Sequence, residues 1–182
     1  MIIEDGKGSG MSVGVTGNNR LETNAVAQTA EHFANHTLRQ SYNILFSATP
    51  SGGDDCFLYI KNTSDIDMIL EGFWLKLVAS EYIDIKTNDA GTPIGGSIIT
   101  PANLNTGSGN SAIGTFQNGN NITGLTGGVT NHRLYHKNDA GSVSYNFDQD
   151  MIVMKNGVIT FYAGTGGTVL EGFVVMNYHS SW

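Results

Sequence analysis

From Tyr42 onward the apolar residues recur with a period of two, in short runs that each stop at a cluster of Gly, Asn, Asp or Ser. Tyr42, Ile44 and Phe46 share one parity. Phe73, Leu75 and Leu77 alternate with Trp74 and Lys76, Ile83 and Ile85 with Asp84 and Lys86, and Val143, Tyr145 and Phe147 with Ser144 and Asn146. Successive side chains of a strand point to opposite faces, so each run makes one apolar and one wet face. Turns are expected at 50–55, 62–64 and 164–167, with closing strands at Val158–Ala163 and Val169–Tyr178. Short strands at this spacing, with no helix-length periodicity between them, predict an all-β fold. The expected form is an antiparallel β-sandwich, jelly-roll-like, over residues 41–182. Phe46, Phe57, Leu75, Ile83, Tyr145, Phe161 and Phe173 are its expected interior.

Composition agrees with a folded, strand-rich chain. Leu, Ile, Val and Phe make up 45 of the 182 residues, above the roughly 20% below which chains stay disordered. Gly, Asn, Thr and Ser make up 73, against six Glu and six Lys, a balance that disfavours a helical protein. Residues 105–128 carry seven glycines and five asparagines and read either as a long functional loop or as short strands joined by Gly-rich turns. Leu70-Glu71-Gly72-Phe73 is echoed by Leu170-Glu171-Gly172-Phe173; the two could be equivalent strands, but chance is the preferred explanation of so short a match.

Nine Lys plus Arg against sixteen Asp plus Glu give a net charge of −7, with the basic residues scattered singly. Direct binding to nucleic acid is disfavoured, because neutralising phosphates needs a concentrated basic surface, and so is attraction to an anionic membrane. Cys56 is the one cysteine, so no intrachain disulfide forms and a buried thiol is expected. Met1-Ile2-Ile3-Glu4-Asp5 has neither a basic nor an apolar leader character, and no run approaches ~18 apolar residues, so a soluble product without an export signal is expected.

No catalytic constellation is evident, and no cofactor or metal ion is expected. His32 with His36 and His132 with His136 have the i, i+4 spacing that could share a metal on a helix. The second pair falls in a strand, where that spacing is ~13 Å, and the first lacks the glutamate of a zinc protease. The acidic pairs Asp54-Asp55, Asp65 with Asp67, Asp84 with Asp89 and Asp148 with Asp150 contain no calcium-loop pattern and read as turn residues bonding their own backbone. Gly6-Lys7-Gly8-Ser9-Gly10 lacks the strand, the helix and the Gly-Lys-Ser/Thr ending of a phosphate loop.

Residues 1–40 read as an extended N-terminal arm: glycines punctuate a polar stretch with isolated apolar residues, and an Ala-rich run over 25–36 makes at most a short helix. Met1 to Gly10, followed by Val13-Gly14-Val15 and Asn19-Arg20-Leu21, resembles the start of small virion structural proteins of tailed bacteriophages, in which an acidic-glycine opening precedes a β-rich body. The resemblance implies a non-enzymatic protein that decorates or cements the capsid. It implies the major capsid protein or other virion proteins as partners, a homo-oligomer, and residence in the virion after synthesis in the host cytoplasm. A neck- or tail-associated structural role, or glycan-binding host recognition, is the alternative. Ile2, Ile3, Val13, Val15 and Leu21 are the expected partner-binding anchors, since a partner offers them the burial that an arm cannot.

Overall fold

The computed structural model describes residues 2–4, 12–14, 32–137 and 141–179, with backbone alone at 2–4, 12–14, 148–150 and 179. Strands dominate. β1 (Ile2–Glu4) and β2 (Ser12–Gly14) pair with each other; a six-residue π-helical turn, Phe33–Leu38, leads into β3 (Ser41–Ala48). Next come β4 (Asp55–Asn62), β5 (Asp67–Leu77), β6 (Glu81–Thr87), β7 (Ala90–Ile94), β8 (Ser97–Ile98) and β9 (Ala102–Asn103). β10 (Gly114–Asn118), β11 (Thr123–Thr126), β12 (Val129–His136), β13 (Ser142–Val153), β14 (Val158–Ala163) and β15 (Leu170–His179) complete the chain.

Two antiparallel sheets form the sandwich. One has the order β12-β6-β14-β4-β10-β8, the other β13-β5-β15-β3-β9. Along the chain the eight long strands β3, β4, β5, β6, β12, β13, β14 and β15 enter the five-stranded and six-stranded sheets in the sequence five, six, five, six, six, five, six, five. From β3 to β6, successive strands therefore lie in opposite sheets rather than pair with each other. The Gly- and Asn-rich stretch resolves into the short strands β10 and β11, not one long loop.

The interior follows the period-two pattern. Tyr42, Ile44 and Phe46 from β3, Phe73, Leu75 and Leu77 from β5, and Val174 and Met176 from β15 meet Ile60, Ile83, Ile85, Ile159 and Phe161 of the other sheet in one buried cluster. Phe73 and Phe161 meet edge to face across it, 5.5 Å apart, a preferred geometry for paired rings. A register shift sets Phe161 opposite Leu58 and Tyr162 opposite Cys56, so Phe57 is an extra residue in β4. This bulge turns Phe57 into the core beside Phe46 and Phe161. Tyr145 packs half-buried against the cluster and stacks on Phe73 at 5.0 Å.

Phe173 departs from expectation: it is only half-buried and lies on the outer face of its sheet. In the run from Val169 to Tyr178 the even positions are Leu170, Gly172, Val174, Met176 and Tyr178, whereas Phe173 shares the odd parity with Glu171 and Asn177, so the register that buries the even set and leaves Glu171 exposed turns Phe173 outward. Gly172 sits close against its neighbours: a methyl group there would lie 2.0 Å from the Trp74 carbonyl oxygen and 2.9 Å from Phe46 Cζ.

The helical turn is part of the body. Ala34 is fully buried, and Asn105 Nδ2 donates to the Asn35 carbonyl at 3.0 Å. The turn ends at Arg39 in the left-handed conformation (φ 57°). No helix among the described residues is long and apolar enough to cross a membrane.

Candidate functional site

The outer face of the five-stranded sheet carries an ordered lattice of side chains. Register places Ser144, Trp74, Phe173 and Leu45 in one row across β13, β5, β15 and β3. On one side runs Ser142, Lys76, Glu171 and Ser47; on the other, Asn146, Gly72, Val175 and Asn43. Trp74 and Phe173 stack 5.7 Å apart and 12° from parallel, and Leu45 is 58% exposed. The pair forms a ridge between two grooves. The first, about 510 Å³, is lined by Leu45, Ser47, Trp74, Asn118, Glu171 and Phe173. The second, about 200 Å³, is lined by Gly72, Trp74, Ser144, Asn146, Glu71 and Phe173. Each groove thus combines an aromatic wall with a carboxylate, an amide and a hydroxyl. Gly72 lets β13 come close to β5 here, because a methyl group there would meet the Tyr145 carbonyl oxygen at 2.4 Å. Asn118 Nδ2 donates to the Ser47 carbonyl at 2.7 Å and ties the groove wall to the other sheet.

The outer face of the six-stranded sheet is charged. Arg133 Nε and Nη2 donate to Asp84 Oδ1 and Oδ2, each at 2.6 Å. The bonded guanidinium holds the Asp84 carboxyl below the ordinary carboxylate range. Asp54 and Lys86 pair at 3.8 Å, and the Lys86 ammonium lies 3.8 Å above the Tyr162 ring, a cation–π contact. A groove of about 450 Å³ lined by Gly53, Asp54, Tyr82, Asp84, Arg133 and Gly164 opens beside these pairs.

Further along the same face, Cys56, Tyr59, Val158 and Tyr162 form a second buried cluster with Ile122 and Leu125. The β7–β11 ribbon contributes Leu125 to it. Asp89 is buried there and accepts hydrogen bonds from Thr160 Oγ1 and from Tyr162 OH at 2.9 Å. Burial, and then the Asp89 charge, pushes the Cys56 thiol up to about 12, so it is no nucleophile at neutral pH. Tyr59 is raised by the same two causes.

The remaining acidic and histidine candidates have structural occupations. Asp55 accepts from the Ser51 and Gly52 amides at 2.9 and 2.8 Å, as a turn residue does. Glu81 is buried and accepts from the Thr165 and Gly166 amides at 2.6 and 2.8 Å, pinning the β14–β15 turn. Asp65 bonds Lys155. His32 and His36 stack as exposed rings 5.4 Å apart, and His132 meets Phe147 edge-on at 5.5 Å. His136 is 1% exposed, and neither ring nitrogen has a hydrogen-bond partner. Among the described residues no three His, Cys, Asp or Glu side chains converge on a metal position. The side chains of Asp148 and Asp150 lie outside the described ones.

Of the arm residues, Ile2, Ile3 and Val13 fall in the β1–β2 hairpin, with Ile3 opposite Val13 and Ile2 opposite Gly14. Val15 and Leu21 lie outside the described residues. Among the described residues the hairpin pairs with neither sandwich sheet. The aromatic ridge escaped the sequence pattern because residues 74 and 173 become neighbours only through the order β5-β15-β3; its one sequence trace is the repeated Glu-Gly-Phe. The two copies of the repeat are not placed alike: Phe73 points into the core where Phe173 points out of the sheet. Compared with family models, curated proteins and solved structures, the chain matches nothing.

Proposed function

We propose that the protein is a non-enzymatic virion structural component of the tailed-bacteriophage type, decorating or cementing the capsid through its N-terminal arm. The observation that carries this reading is the β1–β2 hairpin, Ile2–Glu4 against Ser12–Gly14, which among the described residues pairs with itself and with no edge of either sandwich sheet. A lone two-stranded hairpin is marginal in water, so a partner surface is what makes it persist. The sandwich is suited to a passive role, since Asp55, Glu81, Asp84 and Asp89 are committed to internal hydrogen bonds and the Cys56 thiol is sealed. The alternation of long strands between the two sheets supports the jelly-roll form of the body. On this reading the partners are the major capsid protein and further copies of this chain.

Removing residues 1–31 tests the arm while sparing the helical turn whose Ala34 is buried in the body. The truncated chain is expected to stay folded by circular dichroism and to be missing from purified particles by mass spectrometry, whereas the full chain is present. Absence of the full chain from particles sinks the virion reading. Retention of the truncated chain sinks the arm's part in it.

A further inference from the structure

We propose that the Trp74–Phe173 ridge and its two flanking grooves are a binding site for neutral oligosaccharides. Sugar rings present C–H faces to aromatic faces, whose π-clouds are negative, and present hydroxyls around their rims. Each such hydroxyl both donates and accepts, so it needs carboxylate, amide and hydroxyl partners near the aromatic wall. Both grooves carry such groups beside one shared ridge: Glu171, Ser47 and Asn118, whose amide nitrogen donates to the Ser47 carbonyl, on one side, and Asn146, Ser144 and Glu71, which also accepts from the Asn177 amide, on the other.

Charge and width narrow the occupant. The lining groups that carry charge are Glu71 and Glu171, with Lys76 in register beside Glu171. Two carboxylates repel uronic, sialic and sulfated sugars, so the ligand is uncharged. The apolar row consists of Trp74, Phe173 and Leu45, flanked on one side by Ser142, Lys76, Glu171 and Ser47 and on the other by Asn146, Gly72, Val175 and Asn43. A narrow apolar strip edged by charged and polar groups lacks the broad apolar centre of a standard protein interface. A chain of rings lying along the row fits it where a second protein surface does not. The site does not depend on the virion assignment, since it resides wholly in the body, and the arm truncation described above leaves it intact.

Full-length protein on an array of neutral and anionic glycans, followed by calorimetry with the best neutral hit, tests the site. Saturable binding to a neutral glycan is expected. W74A and F173A are each expected to weaken it at least about tenfold, as stacking anchors do, and Lys155→Ala, on another face, to leave it unchanged. If W74A or F173A fails to fold by circular dichroism, Leu45→Ser and Glu171→Gln, both at exposed positions, replace it, with about threefold loss expected from each. Three results overturn the proposal: no binding to any neutral glycan, binding confined to anionic glycans, or affinity unmoved in the folded ridge variants. A concentration-dependent dimer in sedimentation that F173S dissolves, without sugar binding, assigns the face to a second copy instead.

Discussion

Asp84 on β6 and Arg133 on β12 stand directly opposite in register, and the guanidinium clasps the carboxylate through two parallel 2.6 Å hydrogen bonds. The pair is asymmetric: the Asp84 side chain is 3% exposed and that of Arg133 is 66% exposed. Paired, it fastens the edge strand β12 to the sheet at a point where β12 is otherwise mostly exposed.

Arg133→Ala therefore strands a buried carboxylate and is expected to cost about 1 to 2 kcal/mol, below the full penalty of a buried pair because the arginine is solvated. The sign of the pH effect follows from the lowered Asp84 value in the folded state. Its contribution is complete above the unfolded carboxylate value of about 3.9 and is lost as pH falls through that value toward the folded one. Urea midpoints recorded from neutral pH down to pH ~3 are expected to fall more steeply for the native protein than for Asp84→Asn. Parallel curves would contradict this.

Cys56 is buried in the second cluster with its thiol pushed up to about 12. A thiol reagent at mildly alkaline pH is expected to leave the folded protein unmodified and to label one thiol per chain once denaturant is added. Rapid labelling of the folded protein would mean that the β7–β11 ribbon opens readily.

His136 has two ring nitrogens without partners in a buried setting. Since an unsatisfied buried polar group costs about 1 to 3 kcal/mol, His136→Leu is expected to stabilise the protein by about 1 kcal/mol, or a rise of roughly 2 to 4 °C in Tm. Calorimetric scanning reads this directly; a lower Tm would show that the imidazole has a partner after all.

Glycines divide sharply by surroundings. Gly172→Ala drives a methyl to 2.0 Å from the Trp74 carbonyl oxygen, a backbone atom in the middle of a sheet, and is expected to cost about 3 kcal/mol. Gly109→Ala meets nothing within 4 Å and is expected to be neutral or to stabilise by up to about 1 kcal/mol, through a less flexible unfolded chain. Chemical denaturation of the two variants side by side gives the contrast.

What the sequence determined by itself is the part governed by local chemistry. Period-two alternation placed Tyr42, Ile44, Phe46, Phe73, Leu75, Ile83 and Ile85 inside and left Trp74, Lys76, Asp84 and Ser144 facing out, because adjacent residues of a strand must take opposite faces. Turn chemistry at Ser51–Asp55 and Gly164–Gly167 was legible for the same reason. Tertiary structure alone decided what depends on which strands become neighbours. The order β5-β15-β3 brings Trp74, Phe173 and Leu45 into one row, β6-β12 brings Asp84 to Arg133, and the bulge in β4 lets Phe57, expected inside, share the core with Leu58 and Ile60. Phe173 shares its parity with Glu171 and Asn177 while Leu170, Val174, Met176 and Tyr178 take the other, so its outward facing follows the alternation of the run rather than the interior place expected for it. Strand order is fixed by packing of the whole core and leaves no periodic signal in the chain, so a site built across strands becomes visible only when the sheet is assembled.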